Sequence, residues 1–212
     1  MSESTTRRDF CGGAARIAAG GAAAALGTAL APPQVLAATT PGALDGDPFD
    51  ASVGGAQVSP EGRLRELGIE LPAAVQPVAT YVPTVQVGSV LYVAGHTPRM
   101  PDGSAAFRGK VGDDFTLEQG REAARFVGLN ILSTMRAALG SLDRVARLVR
   151  TFGMVNATPD FTQQPQVING FSDLMVEIFG EEAGKGTRAA VGMGSLPGGM
   201  AVEVETYWEI RP

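Results

Sequence analysis

Thr116–Gly140, TLEQGREAARFVGLNILSTMRAALG, is the stretch from which the fold is read. Thr116 and Gln119 form a capping box, in which each side chain satisfies a backbone N–H that the first turn leaves open. Ala123, Ala124, Val127, Leu129, Ile131, Leu132, Met135 and Leu139 then recur mostly at helical spacing, and Gly140 ends the run. This predicts a long helix with one broad apolar face, which needs a second layer to cover it. Downstream, Val145–Val155 reads as a strand and Pro165–Phe179 as a second amphipathic helix closed by Gly180. Arg188–Met193 and Met200–Ile210 read as two final strands. Upstream, Val78–Val87 and Val90–Ala94 flank Gly88-Ser89 as a β-hairpin. Residues 98–114 read as a loop with one short strand near Phe107–Val111. Ser59-Pro60-Glu61 opens a short helix that Gly68 stops.

That order predicts an α+β fold with a mostly antiparallel sheet and both long helices on one of its faces. The opposite face then has nothing in this chain to cover it, so association is expected.

The chain has 212 residues, 44% of them hydrophobic and 18% charged, as expected of one globular domain. Its net charge of −5 argues against nucleic acid as a partner, because such binding rests on neutralising phosphates. There is one cysteine, Cys11, and one histidine, His96, so thiolate and multi-histidine metal sites are excluded, and no metal or other cofactor is expected.

Thr6-Arg7-Arg8-Asp9-Phe10 fits the twin-arginine export pattern. The Ala/Gly-rich segment Cys11–Ala31 follows it, too weakly apolar for a membrane anchor. Val35-Leu36-Ala37 is the preferred cleavage site, because Pro32 blocks the alternative after Ala31. Residues 1–37 are therefore read as a signal peptide, with delivery to the periplasm or beyond, and residues 38–58, rich in Pro, Gly, Ala and Asp, as a flexible linker or arm. The domain is expected to span 59–212.

Within that domain the chain resembles the RidA/YjgF family. The resemblance lies in Asn169-Gly170-Phe171-Ser172-Asp173-Leu174, Phe179-Gly180-Glu181, Arg188-Ala189-Ala190-Val191-Gly192, Ser195-Leu196-Pro197 and Val202-Glu203-Val204-Glu205. Tyr81, Gly88, Gly95 and Gly109-Lys110-Val111-Gly112 fall at matching positions upstream. The resemblance implies a chorismate-mutase-like fold and a homotrimer with ligand clefts between subunits. It also implies hydrolysis of 2-imino acids, or their enamine tautomers, to 2-keto acids and ammonia.

Such a substrate carries a carboxylate beside a C=N carbon, and a guanidinium offers it two parallel donors. Arg188 is the candidate, its alternative being a surface pair with Glu181 or Glu182. Glu203 is the catalytic candidate for holding the attacking water, and a hairpin through Leu196-Pro197 is expected to bring it near Arg188. Glu203 and Glu205 should share a sheet face. By resemblance Tyr81, Gly95, Asn169 and Ala190 line the substrate site, while each also has a purely structural reading. His96 is read as a structural hydrogen-bonder. The competing functions are a non-catalytic module binding a small carboxylate or a protein and, less favoured, an endoribonuclease.

Overall fold

The computed structural model describes residues 59–74, 79–100, 102 and 104–212. The expected leader over 1–37 and linker over 38–58 lie outside the described residues, as does Val78. The elements run α1 (Pro60–Glu66), β1 (Thr84–Val87), β2 (Val90–His96), α2 (Leu117–Leu139), β3 (Val145–Asn156), α3 (Gln164–Ala183), β4 (Thr187–Met193) and β5 (Val202–Ile210). They form the expected α+β fold, a five-stranded sheet in the order β1-β2-β5-β3-β4 backed by helices.

The long helix forms as its sequence dictates. Thr116 accepts from the Gln119 N–H at 3.3 Å while the Gln119 side chain accepts from the Thr116 N–H at 2.9 Å, and Gly140 caps the far end in the left-handed region. The second helix runs past its expected stop. Gly180, at φ +81°, breaks the helical backbone without ending the element, which continues to Ala183. Only a glycine takes that conformation without steric cost. Helix α1 is pinned to the helix layer through Glu61, whose carboxylate accepts both Arg136 Nε (3.0 Å) and Nη2 (2.8 Å) as well as the Leu142 N–H (3.0 Å).

The β1–β2 hairpin is present, with β1 shorter than expected because strand pairing begins only at Thr84. Instead of the expected strand, Phe107–Val111 makes isolated bridges from Arg108 to Met200 and from Val111 to Phe115 and Ala157. The largest departure concerns β4. It runs parallel to β3 along that strand's outer edge, while β5 lies antiparallel on β3's other side. Parallel neighbours need a crossover, and α3 supplies it. The segment from Gly194 to Ala201 then passes across the end of β3, so β4 and β5 form no hairpin.

Strand β5 shows how the layers divide. Val202, Val204, Thr206, Trp208 and Ile210 are buried beneath the helices. Glu203, Glu205, Tyr207 and Glu209 alternate onto the opposite face, as the strand period requires. Trp208 stacks obliquely on Phe179 with ring centroids 5.2 Å apart, and its indole N–H donates to Thr206 Oγ1 at 2.8 Å. Among the described residues every buried side-chain nitrogen and oxygen has a partner, and no helix is long and apolar enough to cross a membrane.

Candidate functional site

The candidate residues fall into separate groups. Arg188 is the second residue of the edge strand β4, and its register with Thr151, itself aligned with the buried Thr206, puts its side chain on the helix side. There its Nη1 donates to Asn169 Oδ1 at 2.9 Å and to Ser172 Oγ at 3.0 Å. Asn169 and Ser172 are three residues apart on α3 and so share a helix face. Glu181 pairs instead with Lys185. Among the described residues Arg188 has no carboxylate partner, and its outer guanidinium nitrogen and Nε remain available to a ligand. Ala190, two residues on, packs against the core from the same side. Ser172 is the group that sequence reasoning missed. Its spacing from Asn169 was the available signal.

Glu203 belongs to the open face. It aligns with Met154 on β3, and its carboxyl lies over Gly95 of β2, so a Cβ on Gly95 would run into Glu203 Oε1. Glycine at 95 therefore makes room for the carboxyl. Burial, with the Glu205 charge beside it as the smaller cause, pushes the Glu203 carboxyl above the usual glutamate range.

Gly95 is positioned by a register shift between Val93 and His96. His96, 7% exposed, holds that irregularity from the helix side. Its Nδ1 lies 2.7 Å from the Ala94 carbonyl oxygen, which can only accept, so Nδ1 carries the proton. Nε2 then accepts from Thr134 Oγ1 at 2.8 Å. Burial lowers its pKa, partly offset by the Ala94 bond, and with both nitrogens engaged the ring serves structure.

Tyr81 lies just before β1, 48% exposed. Strands β1 and β4 are opposite edges of the sheet, roughly 19 Å apart at ~4.8 Å per strand step. Arg188 and Glu203 are also separated. Two strand steps and a three-residue offset put their Cα atoms roughly 14 Å apart, by ~4.8 Å per step and ~3.3 Å per residue, with side chains on opposite faces. The expected hairpin contact between them is thus replaced by two half-sites. Gly95 with Glu203 forms one, on the open face. Arg188, Asn169 and Ser172 form the other, at the β4 edge.

Among the described residues no group of three His, Cys, Asp or Glu could hold a metal ion. What the arrangement offers is a guanidinium without a carboxylate partner among the described residues and a half-buried carboxyl with a raised pKa.

Residues 61–202 match the model of the family described as "YjgF/chorismate_mutase-like, putative endoribonuclease". Protein TCP17 of Trypanosoma cruzi is 46% identical over 148 residues, covering 70% of this chain and 92% of that protein. A solved structure of a protein of unknown function from Agrobacterium tumefaciens is 41% identical with a TM-score of 0.64, covering 71% of this chain and 93% of that one. A Shewanella oneidensis structure, described as a "putative endoribonuclease", is 32% identical with a TM-score of 0.69, covering 72% and 99%.

Proposed function

The chain belongs to the YjgF/RidA family, and from that premise we propose that it hydrolyses 2-imino acids, or their enamine tautomers, to 2-keto acids and ammonia in a cleft between subunits. The observation that carries this reading is the Glu203 carboxyl seated over Gly95, half-buried and with its pKa raised. A general base works best when its pKa lies near the working pH, and burial moves a glutamate in that direction.

The chemistry follows from the two half-sites. Arg188 grips the substrate carboxylate with donors that Asn169 and Ser172 leave unused. Glu203 orients a water against the imine carbon and takes its proton as the C–O bond forms. Glu203 returns that proton to the substrate nitrogen, giving a neutral carbinolamine, and then carries the carbinolamine's hydroxyl proton to the same nitrogen as the C–N bond breaks, so that ammonia leaves the keto acid. One chain keeps the grip and the base on opposite sheet faces. A second copy, offering its Gly95–Glu203 face to the first copy's β4 edge, completes the site, and a closed threefold ring does so three times over.

The endoribonuclease wording attached to the family and to the Shewanella protein names the competing reading. The net charge of −5 and a sole histidine with both ring nitrogens engaged disfavour it. The test feeds the purified protein freshly generated imino acids of differing side chains and follows keto-acid release, with a single-stranded RNA incubated in parallel. Keto-acid release above the spontaneous rate is the expected result. No acceleration for any side chain, with or without RNA cleavage, overturns the reading.

A further inference from the structure

We propose that the cleft at the C-terminal ends of β3 and β4 binds a small oxyanion, a carboxylate or a phosphate, through Lys110. The cleft measures about 590 Å3 and is lined by Lys110, Thr158, Phe161, Gln164, Gly192 and Gly194 among others. That volume lies within the range of small-ligand sites.

The Lys110 ammonium is held from two sides. Its Nζ donates to Asn156 Oδ1 and to the Gly194 carbonyl, both at 2.7 Å. Asn156 is buried and is itself fixed by its Nδ2, which donates to the Gly109 carbonyl at 3.1 Å. An ammonium has three N–H groups, so two are taken by neutral acceptors and the third remains. Among the described residues no carboxylate lies within 4.0 Å of this ammonium. The outcome is an ordered ammonium with no ion-pair partner beside a cleft, the Asp114 carboxylate being engaged with the Lys110 backbone N–H at 2.8 Å.

Other donors gather at the same cleft. The Gln164 amide gives one N–H to the Phe161 carbonyl at 2.6 Å and keeps the other. It lies so close to Gly192 that a Cβ there would come within 2.9 Å of Nε2, so the glycine leaves this part of the cleft to the amide. Thr158 lines the same cleft. One fixed monocation with neutral donors suits a small oxyanion better than a polyphosphate, whose charge it could not balance. Gly192 is four residues along β4 from Arg188, roughly 13 Å at ~3.3 Å per residue, so this site stands apart from the Arg188 half-site and uses none of the residues proposed for deamination.

The test titrates the 15N-labelled full-length chain with sodium phosphate and with sodium acetate, each against sodium chloride at matched ionic strength. Saturable shifts at the amides of Lys110, Thr158, Gly192 and Gly194 are expected, and the salt that produces them identifies phosphate or carboxylate. Lys110→Met should weaken that binding at least tenfold and Gln164→Ala severalfold. Shifts no different from those in chloride, or equal affinity in the Lys110→Met chain, overturn the proposal. Should Lys110→Met fail to fold, Gln164→Ala decides. Weakened, localised shifts support the site, and unchanged ones overturn it.

Discussion

The two faces of the sheet are built from the same strands and obey different rules. On the helix-covered face the polar groups are spoken for. His96 bonds Ala94 and Thr134, and Trp208 bonds Thr206. On the open face Tyr92 and Tyr207 stack at 4.9 Å, and Arg150 lies 5.7 Å from the Tyr207 ring centroid and 5.8 Å from that of Phe152. Val85 and Val87 are exposed there, and Glu203 and Glu205 have no cation within ion-pair distance among the described residues. A covered face whose groups are all paired is a stability device. An open face that keeps apolar side chains and two neighbouring carboxylates in one patch costs stability until something covers it. The difference teaches that β5 divides its residues by the strand period, with even-numbered ones buried in the fold and odd-numbered ones, Glu203 among them, left on the open face.

The sharpest way to break the comparison is Trp208→Ala, which empties the covered face at its largest fully buried side chain. It should cost about 3–5 kcal/mol, read as a lower denaturation midpoint at unchanged slope. A loss below about 1 kcal/mol would show that the covered face is not where stability resides.

Glu203→Gln should do the opposite on the open face. Turnover should fall ~10²–10⁴-fold while a stable keto acid still binds. Stability should rise at neutral pH. The folded protein holds this carboxyl above its unfolded value, so the group's contribution to stability is full in acid and is lost as pH rises through the raised value. Glutamine removes that loss. After discounting for exposure, the gain is about a degree or two in Tm near pH 7, and it vanishes below the ordinary glutamate range. A thermal melt series from pH 4 to pH 8 reads the crossover, and a variant less stable than its parent at pH 7 would refute the sign.

Gly95→Ala is the smallest change. The new methyl meets the far end of a flexible side chain, so Glu203 swings aside and the backbone stays put. Turnover should drop roughly tenfold with Tm almost unmoved, since a misplacement of about 1 Å suffices for such losses. Equal loss of both would make Gly95 a purely structural glycine.

Much of this was legible in the residues. The capping box, Gly140 and the apolar spacing located α2 because each is a local signal, and the β1–β2 hairpin followed from Gly88-Ser89. Glu203 and Glu205 were placed on one face by the period of two alone. The β4–β5 relation was misread because two strands joined by a short segment look like a hairpin. What decided it was non-local, the crossover through α3 that lays β4 beside β3. The same non-locality hid the split of the site. Arg188 and Glu203 are 14 residues apart in the chain, counting those between, yet β3 separates their strands. Ser172 escaped notice because its spacing from Asn169, the one local signal, gains meaning only once Arg188 is known to lie against that helix face. Lys110 stood in a recognised segment, but its tether to Asn156 and Gly194 depends on three distant parts of the chain.

The central claim, that each site takes its guanidinium from one copy and its carboxylate from the next, is tested by mixing two inactive variants. Arg188→Ala and Glu203→Gln chains are unfolded together in equal amounts, refolded, and assayed for keto-acid release. Random assembly into closed rings pairs an intact arginine with an intact glutamate at about one quarter of the interfaces. The account predicts recovery to about one quarter of the refolded wild-type activity, from parents that each have almost none. A mixture no more active than its parents would contradict it, and would place both residues of any working site within a single chain.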